Sequence, residues 1–313
     1  MKILMTGSNG FIGSHVLEAL LQKENMRVGI TLRSNSEISR IKAILDVPGR
    51  IEKFILDDQT IDDIISSFKP KIIIHLAAFY EKNHVSGNVG QTINSNISFP
   101  TEILDSMTRN QVTFFINTGT FTEYLMDGAL IDQKTALFPS NLYSATKIGF
   151  EDILRYFTEK RNINAVTLKL AATYGPRDNP RKLIPYLINC SINKKTAKIT
   201  DGFQMWDYVF VRDVADSYIK TIEYLVNSRE KYSVFNIGSG NTYSLREIAK
   251  NVEKIGGNFK IDWGGVPYGA QEVFYFKTDI TRARNILKWW PQYSLKRGLL
   301  ETYNYYRSFN RDE

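Results

Sequence analysis

The first fifteen residues constrain this chain more than any other stretch. An apolar run, Lys2–Met5, leads into Thr6-Gly7-Ser8-Asn9-Gly10-Phe11-Ile12-Gly13, whose glycines fall as G-x-x-G-x-x-G ahead of a helix-period segment, Ser14–Gln22. A strand that turns sharply into a helix needs one glycine for the turn. A second lets backbone N–H groups approach an anion, and a third lets helix and strand pack closely. The helix N-terminus adds partial positive charge at the same place. Gly7, Asn9, Gly10, Phe11, Ile12 and Gly13 are therefore expected to cradle a dinucleotide pyrophosphate. A plain strand-to-helix turn would not require all three glycines.

The alternation continues down the first half. Arg27–Leu32, Ile51–Leu56, Lys71–Leu76, Val112–Ile116 and Ala165–Leu170 read as strands. Ile61–Phe68, Ile97–Thr108 and Tyr143–Lys160 read as helices between them. Apolar strands without alternation, separated by helices, predict a parallel sheet covered on both faces. The fold class expected is α/β: a doubly wound, Rossmann-type parallel sheet with a smaller C-terminal α/β substrate lobe. Residues 1–172 are expected to form the dinucleotide-binding domain and 173–313 the substrate-binding lobe, with part of 205–238 returned to the sheet. Beyond Tyr174-Gly175-Pro176 the pattern loosens, and helices such as Val214–Val226 and Leu245–Ile255 are spaced by irregular loops.

Composition narrows the function classes. One cysteine, Cys190, excludes an internal disulfide framework, and with three scattered histidines (His15, His75, His84) it leaves too few soft ligands for a structural zinc site. No metal is expected. The N-terminus does not read as a signal peptide, and no apolar run approaches the roughly eighteen residues of a membrane span, so a soluble cytoplasmic protein without membrane partners is expected. The net charge of +7 is dispersed, densest at Lys194-Lys195, Arg181-Lys182 and Arg282/Arg284. Without a basic block interleaved with aromatics, the excess suits an anionic cofactor and substrate, and no nucleic-acid partner is expected.

The second strand bears on which dinucleotide. An acid usually ends this strand where the adenosine ribose hydroxyls are bonded; here the position is Leu32, followed by Arg33-Ser34-Asn35-Ser36. A guanidinium with hydroxyl neighbours suits a 2′-phosphate, so Arg33 and Ser34 predict NADP(H) as preferred cofactor, with NAD(H) possible. Asp57 and Asp58 lie where an adenine edge could be contacted, or serve a turn or helix cap.

Tyr143-Ser144-Ala145-Thr146-Lys147 puts a phenol and an ammonium on one helix face. A lysine close to a tyrosine favours the phenolate and lowers the phenol's pKa, which makes a usable acid/base. Upstream, Phe115-Ile116-Asn117-Thr118-Gly119-Thr120 brings hydroxyls to the end of a strand, where one can bond a reacting oxygen.

With these motifs the chain resembles the extended short-chain dehydrogenase/reductase family of sugar-nucleotide epimerases, dehydratases and reductases, over nearly its whole length. Further segments carry the resemblance: His75-Leu76-Ala77-Ala78, Asn96-Ile97, Leu170-Ala171-Ala172-Thr173-Tyr174-Gly175-Pro176-Arg177, Phe235-Asn236-Ile237-Gly238-Ser239-Gly240 and Trp290-Pro291. The resemblance implies Tyr143 as general acid/base, Lys147 on the nicotinamide ribose, and Thr118, by its spacing to Tyr143, on the oxygen being converted. It brings Leu76, Ala77, Ala78, Asn96 and Ala171 to the cofactor. To the substrate it brings Phe79, Thr118, Thr120, Tyr143, Tyr174, Arg177, Arg181, Gln204 and Trp206. It also implies a homodimer through a four-helix interface of Ile97–Thr108 and Tyr143–Lys160.

Departures refine the expectation. Gly119-Thr120 lacks the acid of the family's 4,6-dehydratases, and Glu123 lies too far along to replace it. The family's Gln-x-Arg-Asp, whose arginine clamps a diphosphate, reads Gln204-Met205-Trp206-Asp207, and a second arginine position is Glu272. Arg177, Arg181 and Lys182 are the candidates to take over, while Trp206 either stacks on a base or sugar or packs in the core. The run Asn117–Phe121, with Arg33, most resembles the CDP-abequose-synthase-like 4-ketoreductases. The expected function is NADPH-dependent reduction of a nucleotide-diphosphate-linked 4-keto-6-deoxysugar for surface polysaccharide. An NAD-dependent epimerase and a non-catalytic dinucleotide-sensing or nucleic-acid-binding protein stand as alternatives.

Overall fold

The computed structural model describes residues 1–45, 47–81, 86–269 and 272–309. Seven strands form one sheet: β1 (Lys2–Thr6), β2 (Arg27–Leu32), β3 (Ile51–Ile55), β4 (Ile72–His75), β5 (Phe114–Thr120), β6 (Asn164–Leu170) and β7 (Tyr232–Ile237). Across the sheet they run β7-β6-β5-β4-β1-β2-β3, every pair parallel. The order reverses between β1 and β4, so this is the expected doubly wound, Rossmann-type arrangement. Its crevice opens at the carboxyl ends of those two strands. β4, Ile-Ile-Ile-His, is wholly buried, which is why it carries no alternation.

Helices cover both faces. On one, α1 (Phe11–Leu21) supplies Val16, Leu17 and Leu20 to a buried cluster. On the other, α2 (Ile61–Phe68), α3 (Phe99–Arg109) and α4 (Leu142–Lys160) enclose Ile64, Ile103, Met107, Phe150 and Leu154. α1 starts at Phe11 rather than Ser14, because Gly10, in extended backbone, already caps it. The helix expected over Ile97–Thr108 begins at Phe99, after one wide π turn over Asn94–Ser98. Pro100 has no N–H to return to the Asn96 carbonyl, which accounts for the irregular turn. β5 runs past Ile116 to Thr120 and so delivers both threonines to the crevice.

After β6 the chain builds a second sheet around Met205–Phe210. That strand pairs antiparallel with Thr242–Ser244 and parallel with Ala172–Tyr174 and Tyr275–Thr278; the last also pairs with Leu130–Ile131. Three helices, α5 (Leu183–Ile192), α7 (Leu245–Gly256) and α8 (Leu295–Phe309), bury Leu187, Ile188, Ile248 and Leu299 against it. α6 (Val211–Asn227) lies against α1 and returns the chain to β7 on the main sheet. The two buried acids at either end of α6's approach are structural. Asp207 accepts from Ser239 N and Oγ and from Gly240 N, and Asp213 from the Gln292 and Tyr293 amides. Among the described residues no helix is long and apolar enough to cross a membrane, and no group of His, Cys, Asp and Glu is arranged to hold a metal.

Candidate active site

The glycine loop is defined by what cannot fit. Gly7 has φ +71°, and a Cβ there would stand 2.5 Å from the Ala77 amide nitrogen. A Cβ on Gly13 would stand 2.0 Å from the Gly7 carbonyl oxygen. The Leu76-Ala77-Ala78 segment therefore runs directly beside the loop, tied down by Leu76 N to Thr6 O and Ala77 N to Thr6 Oγ1. Gly10 offers no side chain to cap α1, so the first-turn amides remain donors for an anion. A cradle that any Cβ would fill, lined by uncapped amides, fits the pyrophosphate of a dinucleotide.

At the adenosine end, Arg33 and Ser36 close a turn by exchanging backbone-to-hydroxyl and backbone bonds, and the exposed Arg33 guanidinium has no ion-pair partner among the described residues. Asp57 turns to this loop: its Oδ2 accepts the Ser34 N–H at 2.6 Å, and those hydrogen bonds hold its carboxyl below the usual carboxylate range. One carboxylate oxygen of Asp57 thus serves as a tether of the turn. Asp58 is exposed, its amide bonded to Ile55 O. Asn9 likewise reaches across to the Glu37 carbonyl.

Tyr143 and Lys147 open α4. Asn141 caps the helix, its Oδ1 accepting from Ser144 N and Oγ. Lys147 is 3% exposed and has no ion-pair partner among the described residues. Its ammonium lies 5.8 Å from the Tyr143 ring centre. Desolvation, with the Glu123 charge adding to it, pushes the Tyr143 phenol above its usual pKa, and desolvation brings Lys147 down to about 8. Burial thus pushes the phenol in the direction opposite to the one expected from the nearby ammonium. Tyr143 is a neutral phenol with a proton to give. Tyr80, half-exposed, stands edge-on to it at 4.9 Å between ring centres. Asn96, expected at the cofactor, spends its carboxamide on Phe79 N, Phe79 O and Thr146 Oγ1, which fixes the Phe79-Tyr80 segment against α4.

The two threonines of β5 differ in where their protons go. Thr118 Oγ1 donates to the His75 carbonyl at 2.8 Å and so accepts from Tyr218 Oη, also at 2.8 Å. Its only proton is spent on that carbonyl. Thr120 ends a chain: Ser144 Oγ donates to Asn141, Thr122 Oγ1 to Ser144 at 2.7 Å, and Thr120 Oγ1 to Thr122 at 3.1 Å. Its proton is held by the longest bond of the series and is the easier one to redirect. Glu123 is turned inward, fully buried, 2.8 Å from the Lys169 ammonium, and accepts the Thr120 N–H at 2.6 Å.

Several residues expected at the substrate lie elsewhere. Tyr174 is buried with its hydroxyl donating to Leu295 O, and a Cβ on Gly298 would lie 2.3 Å from that oxygen, so the ring is enclosed by α8. Arg177, at φ +67°, turns to α1 and pairs with Glu18 at 2.7 Å. Gln204 is buried and bonded to Thr200 and Glu272. Trp206 donates its indole N–H to Val273 O and sets its half-buried ring against Phe121, next to Thr120. Arg181 is exposed, its amide on Asn179 Oδ1. Lys182 pairs with Asp178 and lies 5.3 Å from the Phe11 ring at the glycine loop. Ala171 is buried where β6 ends, its amide on Ile237 O. Asn141, missed in the sequence, carried a signal: an Asn three positions before Ser144 at a helix start is an N-cap pattern. Tyr218 carried none.

Residues 3–238 match the NAD dependent epimerase/dehydratase family. The chain belongs to that family. Among its curated relatives, CDP-abequose synthase of Salmonella typhimurium is 27% identical over 315 residues, covering 96% of each chain. UDP-glucose 4-epimerase of Erwinia amylovora is 24% identical, covering 97% of each. Among solved structures, the UDP-glucuronic acid 4-epimerase of Bacillus cereus, in complex with UDP-glucuronic acid and NAD, superposes with a TM-score of 0.88 at 23% identity, covering 99% of this chain and 100% of that one. Family membership agrees with the resemblance carried by the Gly7–Gly13 and Tyr143–Lys147 motifs.

Proposed function

We propose that the protein is a nicotinamide-dinucleotide-dependent ketoreductase acting on a nucleotide-diphosphate-linked 4-keto-6-deoxyhexose, with Tyr143 as general acid. The observation that carries this reading is the disposition of protons. Tyr143 is a neutral phenol, while Glu123, the carboxylate beside the threonines, is bound up with Lys169 and the Thr120 amide. A proton donor without a free carboxylate next to it supports carbonyl reduction over water loss. Thr120 orients the carbonyl oxygen and Tyr143 protonates it as charge develops there. Gly7, Asn9, Gly10, Phe11, Ile12 and Gly13 hold the pyrophosphate, Leu76, Ala77, Ala78 and Ala171 line the path beyond it, and Lys147 bonds the ribose. When bound, the reduced dinucleotide supplies the hydride. Arg33 favours NADPH. Arg181, exposed and without an ion-pair partner among the described residues, is the cation left for a substrate diphosphate, and Tyr80 and Trp206 offer stacking faces. Similarity to CDP-abequose synthase supports a deoxysugar for surface polysaccharide. The reading extends to a cytoplasmic homodimer through α3 and α4.

The test is a panel of CDP-, dTDP-, UDP- and GDP-linked 4-keto-6-deoxyglucose with NADPH, followed by nicotinamide absorbance. Steady consumption is expected, slowed about a hundredfold to ten-thousandfold by Tyr143→Phe. A Tyr143→Phe enzyme at full rate sinks the mechanism. Tightly retained NAD and product without net absorbance change replaces the reading with epimerisation, which the UDP-glucose 4-epimerase relatives favour.

A further inference from the structure

Beneath Thr120, four charged groups run in series. Glu123 Oε2 lies 2.8 Å from the Lys169 ammonium, Lys169 lies 3.1 Å from Glu151 Oε2, and Glu151 Oε1 accepts from Arg155 at 3.0 Å. Glu123, Lys169 and Glu151 are each at most 3% exposed. Burying three charges costs several kcal/mol each before pairing, and an apolar replacement of the same volume is often as stable. The series therefore calls for a role besides stability. Its ends supply one. Glu123 Oε1 takes the Thr120 amide, and a Cβ on Gly119 would stand 2.8 Å from that oxygen, so the glycine makes the room. Glu151 sits on α4, one turn beyond Lys147 and two beyond Tyr143. Lys169, in β6, ties the turn to the helix and faces the Tyr124 ring at 4.7 Å, with Tyr124 Oη donating to Asn236.

The titratable groups that act on Tyr143 and Lys147 are Glu123 from the turn after β5, Tyr80 from the segment after β4, Tyr218 from α6, and His75 from β4. The tyrosines are neutral, and burial keeps His75 neutral. Glu123 is thus the one carboxyl in this set; burial and the Glu151 charge push it up, and the Lys169 ammonium opposes them.

We propose that the Glu123–Lys169–Glu151 series is a positioning device that holds the Thr120 backbone in register with α4 and sets the charge facing Tyr143 and Lys147. The proposal rests on the assignment of Thr120 and Tyr143 to the reacting oxygen. Glu123→Gln keeps an oxygen for the Thr120 amide and removes the charge; Glu123→Asp keeps the charge and shortens the reach.

Titration of the Lys147 ε-carbon by NMR in [¹³C]lysine-labelled protein, assigned by its loss in Lys147→Met, reads the charge without any substrate. Glu123→Gln should lower its midpoint by about one pH unit, because Lys147 loses the anion that favours its charged form. Glu123→Asp should leave the midpoint in place while lowering kcat about tenfold with KM for the dinucleotide unchanged. Lys169→Arg, which preserves the pairing, should restore both readouts relative to Lys169→Met. An unmoved midpoint in a folded Glu123→Gln protein overturns the proposal. If that variant does not fold, wild-type kcat in Glu123→Asp overturns it. A wild-type enzyme that reduces none of the ketosugars defeats the functional reading alone, since the lysine titration still decides this one.

Discussion

The two ends of the crevice are made of different materials. At the β1–α1 turn the functional atoms are backbone amides, and the residues contribute by lacking side chains: Gly7 and Gly13 leave room that a single Cβ would close. At the substrate end the functional atoms sit on long side chains, and each has a competing partner within reach. Arg177 takes Glu18, Tyr174 takes Leu295 O, and Trp206 takes Val273 O. A site built from backbone is specified by spacing alone. A site built from side chains is specified by which partner wins, and that depends on residues far away in sequence.

The largest effect expected is at the first end. Gly13→Ala should destabilise the protein by about 3 kcal/mol or more and abolish dinucleotide binding, because its Cβ meets backbone rather than a side chain that can move. Its counterpart Arg177→Ala, which removes a partly exposed ion pair, should cost less than about 1 kcal/mol. Chemical denaturation and binding calorimetry read both, and native cofactor affinity in Gly13→Ala breaks the contrast.

The seam between the ends gives the next effect. His15 on α1 donates from Nε2 to Pro176 O at 2.9 Å, and burial lowers its pKa from 6.5 to about 4. A depressed folded-state pKa favours the native state at pH above 6.5, and that contribution is lost as pH falls toward 4. At about 1.4 kcal/mol per pH unit it amounts to on the order of 3 kcal/mol. Urea unfolding across this range should show stability falling with acid, less steeply in His15→Gln, which keeps a donor for Pro176. An identical slope in the variant removes His15 from the account.

The last effect tests a place where the adenosine end would rely on a side chain rather than on backbone. Arg33→Leu should weaken NADPH binding about tenfold, roughly 1.4 kcal/mol, and leave NADH binding unchanged. Equal losses for both dinucleotides would make Arg33 an ordinary surface residue.

The same division explains what could be read in advance. The doubly wound sheet was legible because its central strands, such as Ile72–His75, are buried on both faces and have no use for polar alternation. The glycine loop and the Tyr143–Lys147 pair were legible because their residues are contiguous. The partner of the Thr118 hydroxyl was not, since Tyr218 reaches it from α6 a hundred residues later. Nor was the direction of the Tyr143 shift: proximity of an ammonium is visible in spacing, but the burial that pushes the phenol up exists only in the folded state. The second sheet escaped notice because strands such as Ala172–Tyr174 and Thr242–Ser244 are too short to establish a period.

The position of β7 has a consequence for how this protein is made. Every residue assigned to the dinucleotide has been synthesised once Ala171 is added, yet β6 gains its outer partner only with Tyr232–Ile237. At about 5–20 residues per second, the Asn164–Leu170 edge waits on the order of several seconds with its amides and carbonyls unpaired. An apolar parallel edge left open is a template for another chain. Translation that stalls between 171 and 231 is thus expected to leave an adhesive nascent chain rather than a small working cofactor domain.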